Sequence, residues 1–423
     1  MSLFSVLHVW RSAFALALSA SVVSAWAQPL TLAEALRLAE KRAPSVSAAE
    51  AAARGARETA VSAGQLPDPV LRAGLDNVPV TGPDQFSHDR DFMTMRRIGV
   101  MQEYVSSAKR NARQERGERE ARRFTAEAQM SLTDVRTEVA AAWYDRYFAQ
   151  KALGPQQGLV DEVAVQRRAI QGQMAGGKAS AADALMLDVL LAQSRDRVTT
   201  ARRQDQVAAV KLARWLGEDA SRPLAGDGEI PNQDAALTLP EHDVHTIAHL
   251  RVLASELDVA EAAVQVAEEE RTPNWTWEVA YQQRGPSYSN MVSVGVSVPL
   301  PIARSERQDR DLAARLAQRD QARDQLEDAR RRHTAEFNAM RLEWQALRER
   351  ERDLEATLLP VVRQRTEALL AGYSSGQVSL LNVLEARRAE VDARVQVLDL
   401  ERDAARLWAK LRYTYLDSAG AKP

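Results

Sequence analysis

The sequence predicts a mainly α-helical protein carrying two membrane β-hairpins, built as a duplicated helix–hairpin–helix repeat. Three observations carry this reading. Long stretches rich in Ala, Arg, Glu and Leu space their apolar residues by three, four or seven, which is the helical period. Two short stretches alternate with period two instead. The second half of the chain also repeats the order of the first at an offset of about 200 residues.

Taken in order, Arg11 precedes the apolar run "AFALALSASVVSAWA", and Ala25-Trp26-Ala27 has the small-x-small pattern of a signal-peptidase site. Residues 1–27 therefore read as a cleaved secretory signal, since the run is too short to span a bilayer. The chain has no cysteine, so no lipid anchor follows the signal, and disulfides and thiolate sites are excluded. Residues 28–67 read as the first helix.

Residues 68–105 read as the first hairpin. Leu71, Ala73 and Leu75 alternate with Arg72, Gly74 and Asp76. Phe92, Ile98, Val100 and Tyr104 share one face, and Met93, Met95, Arg97, Met101 and Glu103 the other. Thr94 and Arg96 interrupt the apolar face. Residues 106–240 hold a long helix pair, its turn near 175–180, and a connecting loop.

The second repeat opens with a helix over 241–272. A hairpin follows over 273–301, where Trp275, Trp277, Val279 and Tyr281 alternate with polar residues. After the Gly285-Pro286 turn, Val292, Val294, Val296 and Val298 line one face. Residues 302–417 form the second long helix pair, turning near 372–379, and 418–423 form a tail. Leu326, His333, Phe337, Met340, Trp344, Leu347, Leu354 and Leu358 mark a coiled-coil-like seam. A helix from about Arg304 to Leu370 is roughly 100 Å long at 1.5 Å per residue. Pro155 and Pro360 predict a kink or break in each long helix.

The net charge of −2, with both signs mixed along the helices, argues against a nucleic-acid partner. Carboxylates spread beside arginines read as solvated ion pairs rather than a catalytic centre. The catalytic and nucleotide-binding signatures Gly-x-Ser-x-Gly, His-Glu-x-x-His, P-loop and Rossmann are absent, so an enzyme is not expected and no cofactor is implied.

Four strands of roughly ten residues are long enough to cross a bilayer when tilted. Leu71, Leu75, Ile98, Val100, Tyr104, Trp275, Trp277, Tyr281 and the Val292–Val298 row would face lipid, with the aromatics in an interfacial belt. Four strands cannot close a barrel, and lipid does not tolerate an open sheet edge. Spanning therefore requires several copies. The alternative is a soluble periplasmic coiled-coil adaptor, which would bury one face of each hairpin.

The signal, the duplicated order, the opening "LTLAEALRLAEKRAPSVSAAEAA" and the paired Gly-x-x-Ser turns resemble the TolC-like outer-membrane factor family over essentially the whole mature chain. The resemblance implies a homotrimer with a twelve-stranded β-barrel, four strands from each copy, in the outer membrane. The helices continue it as an α-helical barrel across the periplasm. Members are exit ducts of tripartite efflux pumps or type I secretion systems, working with a periplasmic adaptor and an inner-membrane pump.

Carried onto this chain, the adaptor-facing tip corresponds to Gly176, Gly177, Ala179 and Ser180, and to Gly376, Val378 and Ser379. Glycine also suits the tight reversal, and the serine hydroxyls can cap the returning helices. Asp183 matches the family's tip aspartate as a gate candidate, while Asn382 departs from it. The run "LPDPVLRAGLDNVPVTGPDQFSHDRDFMTMRRIGVMQEY" resembles branches that serve heavy-metal resistance-nodulation-division (RND) pumps for Co/Zn/Cd or Cu/Ag. Ducts for drugs or organic solutes, or for type I secretion, are the alternative.

Two patterns bear on metal directly. His242, His245 and His249 are spaced i, i+3 and i+7, on one side of a helix, and imidazoles suit Zn²⁺, Co²⁺ or Cu²⁺. Met93, Met95 and Met101 share a strand face, and thioethers suit Cu(I) or Ag(I). The bland readings are a solvated helix start, His249 falling where the first repeat has Ala43, and methionine as apolar filler.

Overall fold

The structure is a computed structural model that describes residues 29–176, 179–225 and 247–416. Residues 1–28, Gly177 and Lys178, residues 226–246 with His242 and His245, and the tail from 417 lie outside the described residues. The helices are α1 (Leu32–Arg42), α2 (Pro44–Ala63), α3 (Ser107–Ala175), α4 (Ala181–Leu216), α5 (Ala248–Glu269), α6 (Gln308–Asp353), α7 (Leu359–Ser374) and α8 (Leu380–Leu411). The strands are β1 (Val70–Asp76), β2 (Met95–Tyr104), β3 (Trp275–Gln283) and β4 (Met291–Ser297). None of the described helices is long and apolar enough to cross a membrane.

Proline decides three helix boundaries differently. The single helix expected over 28–67 is two, because Pro44 takes the first turn of α2 and holds Ala43 extended. Pro155 was expected to kink or break its helix; it does not break α3, whose 69 residues run continuously with the proline inside. The carbonyl it leaves free is that of Lys151, an exposed residue where solvent can satisfy it. At Pro360 the expected interruption is present: a π-turn over Leu354–Leu358 separates α6 from α7, whose first turn holds the proline.

The chain divides into two compact units. One comprises the described residues within Met1–Arg42, Val135–Ala236 and Leu342–Lys410. In its core Trp143 is fully buried and donates its indole N–H to the Leu30 carbonyl at 3.2 Å. Leu30 in turn bridges Leu224. A second cluster gathers Leu159, Val163, Leu187, Leu191 and Leu384, joining α3, α4 and α8. Trp344 and Trp408 meet with ring centroids 5.8 Å apart.

The other unit comprises the described residues within Ala43–Asp134, Leu237–Arg341 and Leu411–Pro423, and it contains the sheet. Both hairpins join one antiparallel sheet in the order β1-β2-β3-β4. The central seam runs from Arg96↔Gln283 to Tyr104↔Trp275. In the seam of α6, Leu326, Phe337 and Met340 are buried, and Phe337 meets Tyr415 at 5.3 Å. The first hairpin starts its second strand later than its alternation suggested. Phe92 and Met93 lie in the turn before β2, and Thr94 is fully buried there, donating its hydroxyl to the Asn77 carbonyl at 3.0 Å. Local hydrogen bonding in the 77–94 loop outweighs the strand pattern at those positions.

Gly117 on α3 faces Ala60 on α2, and a Cβ there would sit 2.7 Å from the Ala60 Cα. Backbone blocks that move, so the close approach of the two helices depends on the missing side chain. Gly117→Val is expected to destabilise this unit by about 1–3 kcal/mol through overpacking, read as a lowered thermal midpoint, whereas Gly55→Ala, in open space on α2, should not lower it.

Candidate functional site

The register sorts the sheet's side chains into two faces. Leu71 lies beside Val100, Val100 beside Val279, and Val279 beside Val294. Along the same face run Leu75, Ile98, Tyr104, Trp275, Trp277, Tyr281, Val292, Val296 and, just past the strand, Val298. Pairing across four strands thus turns four weak alternations into one apolar surface. It is open rather than packed: Leu71, Val292, Val294 and Val296 are each about two-thirds exposed or more. Trp277 is partly covered, sitting between Gln102 and Val296 in the register. The face ends at the helical side in a Tyr104–Trp275 ring pair, centroids 5.0 Å apart. Arg96 is the cation on this face, at the hairpin-turn end.

The opposite face is polar and charge-paired. Arg97 holds Asp76 at 3.6 Å and bonds directly to Glu278, which also lies 3.9 Å from Arg72. These pairs link β1, β2 and β3. Met95 and Met101 lie on this face, six residues apart on one strand, while Met93 is in the loop; the three thioethers expected to share a strand face do not converge. Where the sheet meets the helices, Lys109 is buried. Its ammonium donates to the Thr272 carbonyl at 2.8 Å and to Asn274 Oδ1 at 2.7 Å, and Asn274 donates to Glu103 at 2.7 Å. Burial, with Arg113 nearby, pulls the Lys109 pKa down.

The two expected tip turns are capped helix reversals. In the first, Gly176 follows α3, and Ser180 is the N-cap of α4. Ser180 Oγ accepts from the Asp183 N–H at 3.2 Å, and Asp183 Oδ2 accepts from the Ser180 N–H at 3.1 Å and its hydroxyl at 2.7 Å. This reciprocal capping box holds the exposed Asp183 carboxyl below its ordinary pKa, chiefly through the Ser180 hydroxyl. In the second, Gly376 has φ +77° and its N–H reaches the Tyr373 carbonyl at 3.0 Å. Gln377 N–H returns to the Gly372 carbonyl at 2.9 Å, closing a Schellman turn that favours glycine at 376. Ser379 Oγ then accepts from the Asn382 N–H at 3.4 Å. Ala179, Leu380 and Leu381 pack against the Leu159–Leu187–Leu384 cluster, while Val378 reaches back towards Gly372.

Sequence reasoning passed over Leu185, Met186 and Val189 on α4, which are exposed within two turns of the Asp183 cap. Their signal was an apolar stripe at i, i+1 and i+4. His242 and His245 lie outside the described residues, and within them His249 has a neighbour that its spacing did not suggest. His249 Nδ1 lies 2.8 Å from His333 Nε2 on α6, and His333 Nδ1 lies 3.2 Å from the Tyr415 hydroxyl. No group of three or more metal-ligating side chains forms among the described residues.

Comparison with known proteins places this geometry. Residues 248–414 match the family of outer membrane efflux proteins. Over 375 residues the chain is 24% identical to the cobalt-zinc-cadmium resistance protein CzcC of Cupriavidus metallidurans, covering 88% of this chain and 86% of that protein. Its fold is similar to that of the outer membrane protein VceC from Vibrio cholerae, at 18% identity and a TM-score of 0.72, covering 90% of this chain and 95% of the other. It is also similar to the Campylobacter jejuni CmeC outer membrane channel, at 12% identity and a TM-score of 0.76, covering 93% and 87%. The fold is that of TolC-like outer-membrane channels, and the resemblance read from the sequence is borne out.

Placed mid-face, Val294→Arg is expected to cost about 2–4 kcal/mol in a bilayer and to deplete the protein from carbonate-washed membranes. Ser293→Arg, on the charged face, should leave membrane recovery unchanged. At the tip, Ser180→Ala removes a cap and is expected to weaken the start of α4 by about 1 kcal/mol, seen as faster amide exchange over residues 181–187 with an unaltered thermal midpoint.

Proposed function

We propose that this outer membrane efflux channel is the exit duct of a tripartite pump for heavy-metal cations, with Co²⁺, Zn²⁺ and Cd²⁺ the favoured cargo. One observation carries the channel: a four-stranded sheet with one open apolar face, one charged face and two unpaired edges. In lipid, the outer edges of β1 and β4 need backbone partners, and a chain with four strands can find them in further copies of itself. Three copies give twelve strands, within the range of outer-membrane barrels. Apolar side chains then meet lipid, and the Asp76–Arg97–Glu278–Arg72 array lines the lumen.

The tip turns supply the docking end. Ser180, Ala179 and Gly176 from the first, and Gly376, Val378 and Ser379 from the second, offer the surface for a periplasmic adaptor that links the duct to an inner-membrane RND pump. The exposed Leu185, Met186 and Val189 extend that surface with apolar area. Asp183, kept ionised by its cap, contributes one negative charge per copy at the aperture, and the uncharged Asn382 adds none.

The metal cargo rests on the likeness to CzcC, whose name specifies cobalt, zinc and cadmium resistance. A duct does not need a coordination site of its own, because selection belongs to the pump. The test is growth of a strain lacking this gene on Zn²⁺, Co²⁺, Cd²⁺, Cu⁺, Ag⁺ and a hydrophobic dye. Selective sensitivity to Zn²⁺, Co²⁺ and Cd²⁺, restored by the intact gene, is expected. Sensitivity to the dye alone would sink the metal reading and move the duct to organic solutes.

A further inference from the structure

We propose that His249, His333 and Tyr415 form a pH-sensitive clasp that fastens the C-terminal turn, Arg412–Leu416, to α5 and α6. The three side chains come from three elements far apart in sequence, and the contacts form one line. His249 Nδ1 lies 2.8 Å from His333 Nε2. His333 Nδ1 lies 3.2 Å from the Tyr415 hydroxyl, which donates to Glu336 Oε2 at 3.4 Å. Tyr415 is 1% exposed and stands edge-on to both Phe337 and His333.

The line has a fixed proton order. Burial and the Glu336 carboxylate push the Tyr415 phenol up, so it stays protonated and spends its proton on Glu336. Its oxygen must therefore accept from His333 Nδ1–H. That makes Nε2 of neutral His333 an acceptor, filled by His249 Nδ1–H. The three contacts of the line are then all made with both imidazoles neutral.

Acid breaks this order. A proton on His333 puts N–H against N–H unless His249 changes tautomer, and a second proton sets two cations in contact. The charged and titratable groups acting on His333 are His249 from α5, Tyr415 from the C-terminal turn, and Arg332 and Glu336 from α6 itself. Burial is the largest influence and lowers the His333 pKa from its ordinary 6.5; His249 and Arg332 lower it further, and Glu336 opposes them. A depressed histidine pKa means that the clasped state binds protons less readily than the released one. The clasp is then at full strength above about pH 6.5 and weakens as pH falls below that value. One titrating histidine changes the opening equilibrium by at most about tenfold per pH unit.

The test uses the full-length protein in detergent, with amide exchange over residues 411–416 followed at about pH 7.5 and about pH 5.5, each normalised to the intrinsic rate. Protection is expected to fall by about tenfold or less per unit on acidification. His333→Gln replaces the ring whose pKa burial lowers with an amide that still donates and accepts, and it is expected to flatten the pH response. His249→Gln keeps the contact and removes only a smaller influence on His333, so most of the response should remain. Tyr415→Phe cuts the line and should leave the turn poorly protected at both pH values. Wild-type protection that does not change with pH overturns the proposal, as does a wild-type slope retained in His333→Gln.

Discussion

A strand immersed in hydrocarbon has no solvent for its backbone, so every N–H and C=O must meet another strand. The architecture of this protein follows from how far one chain goes towards that condition. The β2–β3 seam joins two hairpins that lie about 200 residues apart in sequence, which satisfies the interior of the sheet. The outer edges of β1 and β4 are left over. Because β4 runs opposite to β1, a second copy can continue the sheet antiparallel without any change of rule. Duplication of the chain thus supplies strands in pairs, and in the proposed assembly further copies would supply closure.

The same condition explains why polar residues crowd one face. Period-two alternation separates the Val292–Val298 row from Ser293, Gly295 and Ser297, as the proposed barrel wall, with lipid on one side and water on the other, would require. Arg97 between Asp76 and Glu278 adds charge pairing across three strands on the polar face. At the helical end the sheet stops against a buried lysine, whose ammonium is matched by Thr272 and Asn274. A cation with that many fixed acceptors makes the junction specific, since any shift of β3 relative to α3 would leave it unpaired.

What the sequence made legible was whatever a single period encodes. The second hairpin was readable to within a residue or two, because aromatic and β-branched residues alternate without interruption from 275 to 281 and from 292 to 298. The first was not, since Thr94 interrupts it and the 77–94 loop consumes Phe92 and Met93 in its own turns. Prolines were legible only as local defects. Pro155 lies inside an unbroken α3 while Pro360 opens α7 after a π-turn, a difference the pattern around each proline does not report. His333 read as one more position in a seam, and nothing in its spacing pointed to His249 or Tyr415, which reach it from 84 and 82 residues away.

Those outcomes share a cause. Chemical residues in a helical protein first answer local needs, and only the remainder is available for chemistry. Asp183 resembles a gate residue, yet its carboxylate already accepts from the Ser180 backbone and hydroxyl, which ties any charge it presents to the integrity of the α4 start. The tip serines and Gly376 are likewise committed to reversing the chain. Specificity in such a molecule therefore resides in surfaces rather than pockets: an apolar band, a charged wall and a capped end. The histidine line is different because its groups have satisfied one another rather than the backbone. That mutual dependence means that a proton added to His333 must be met by a change of tautomer at His249.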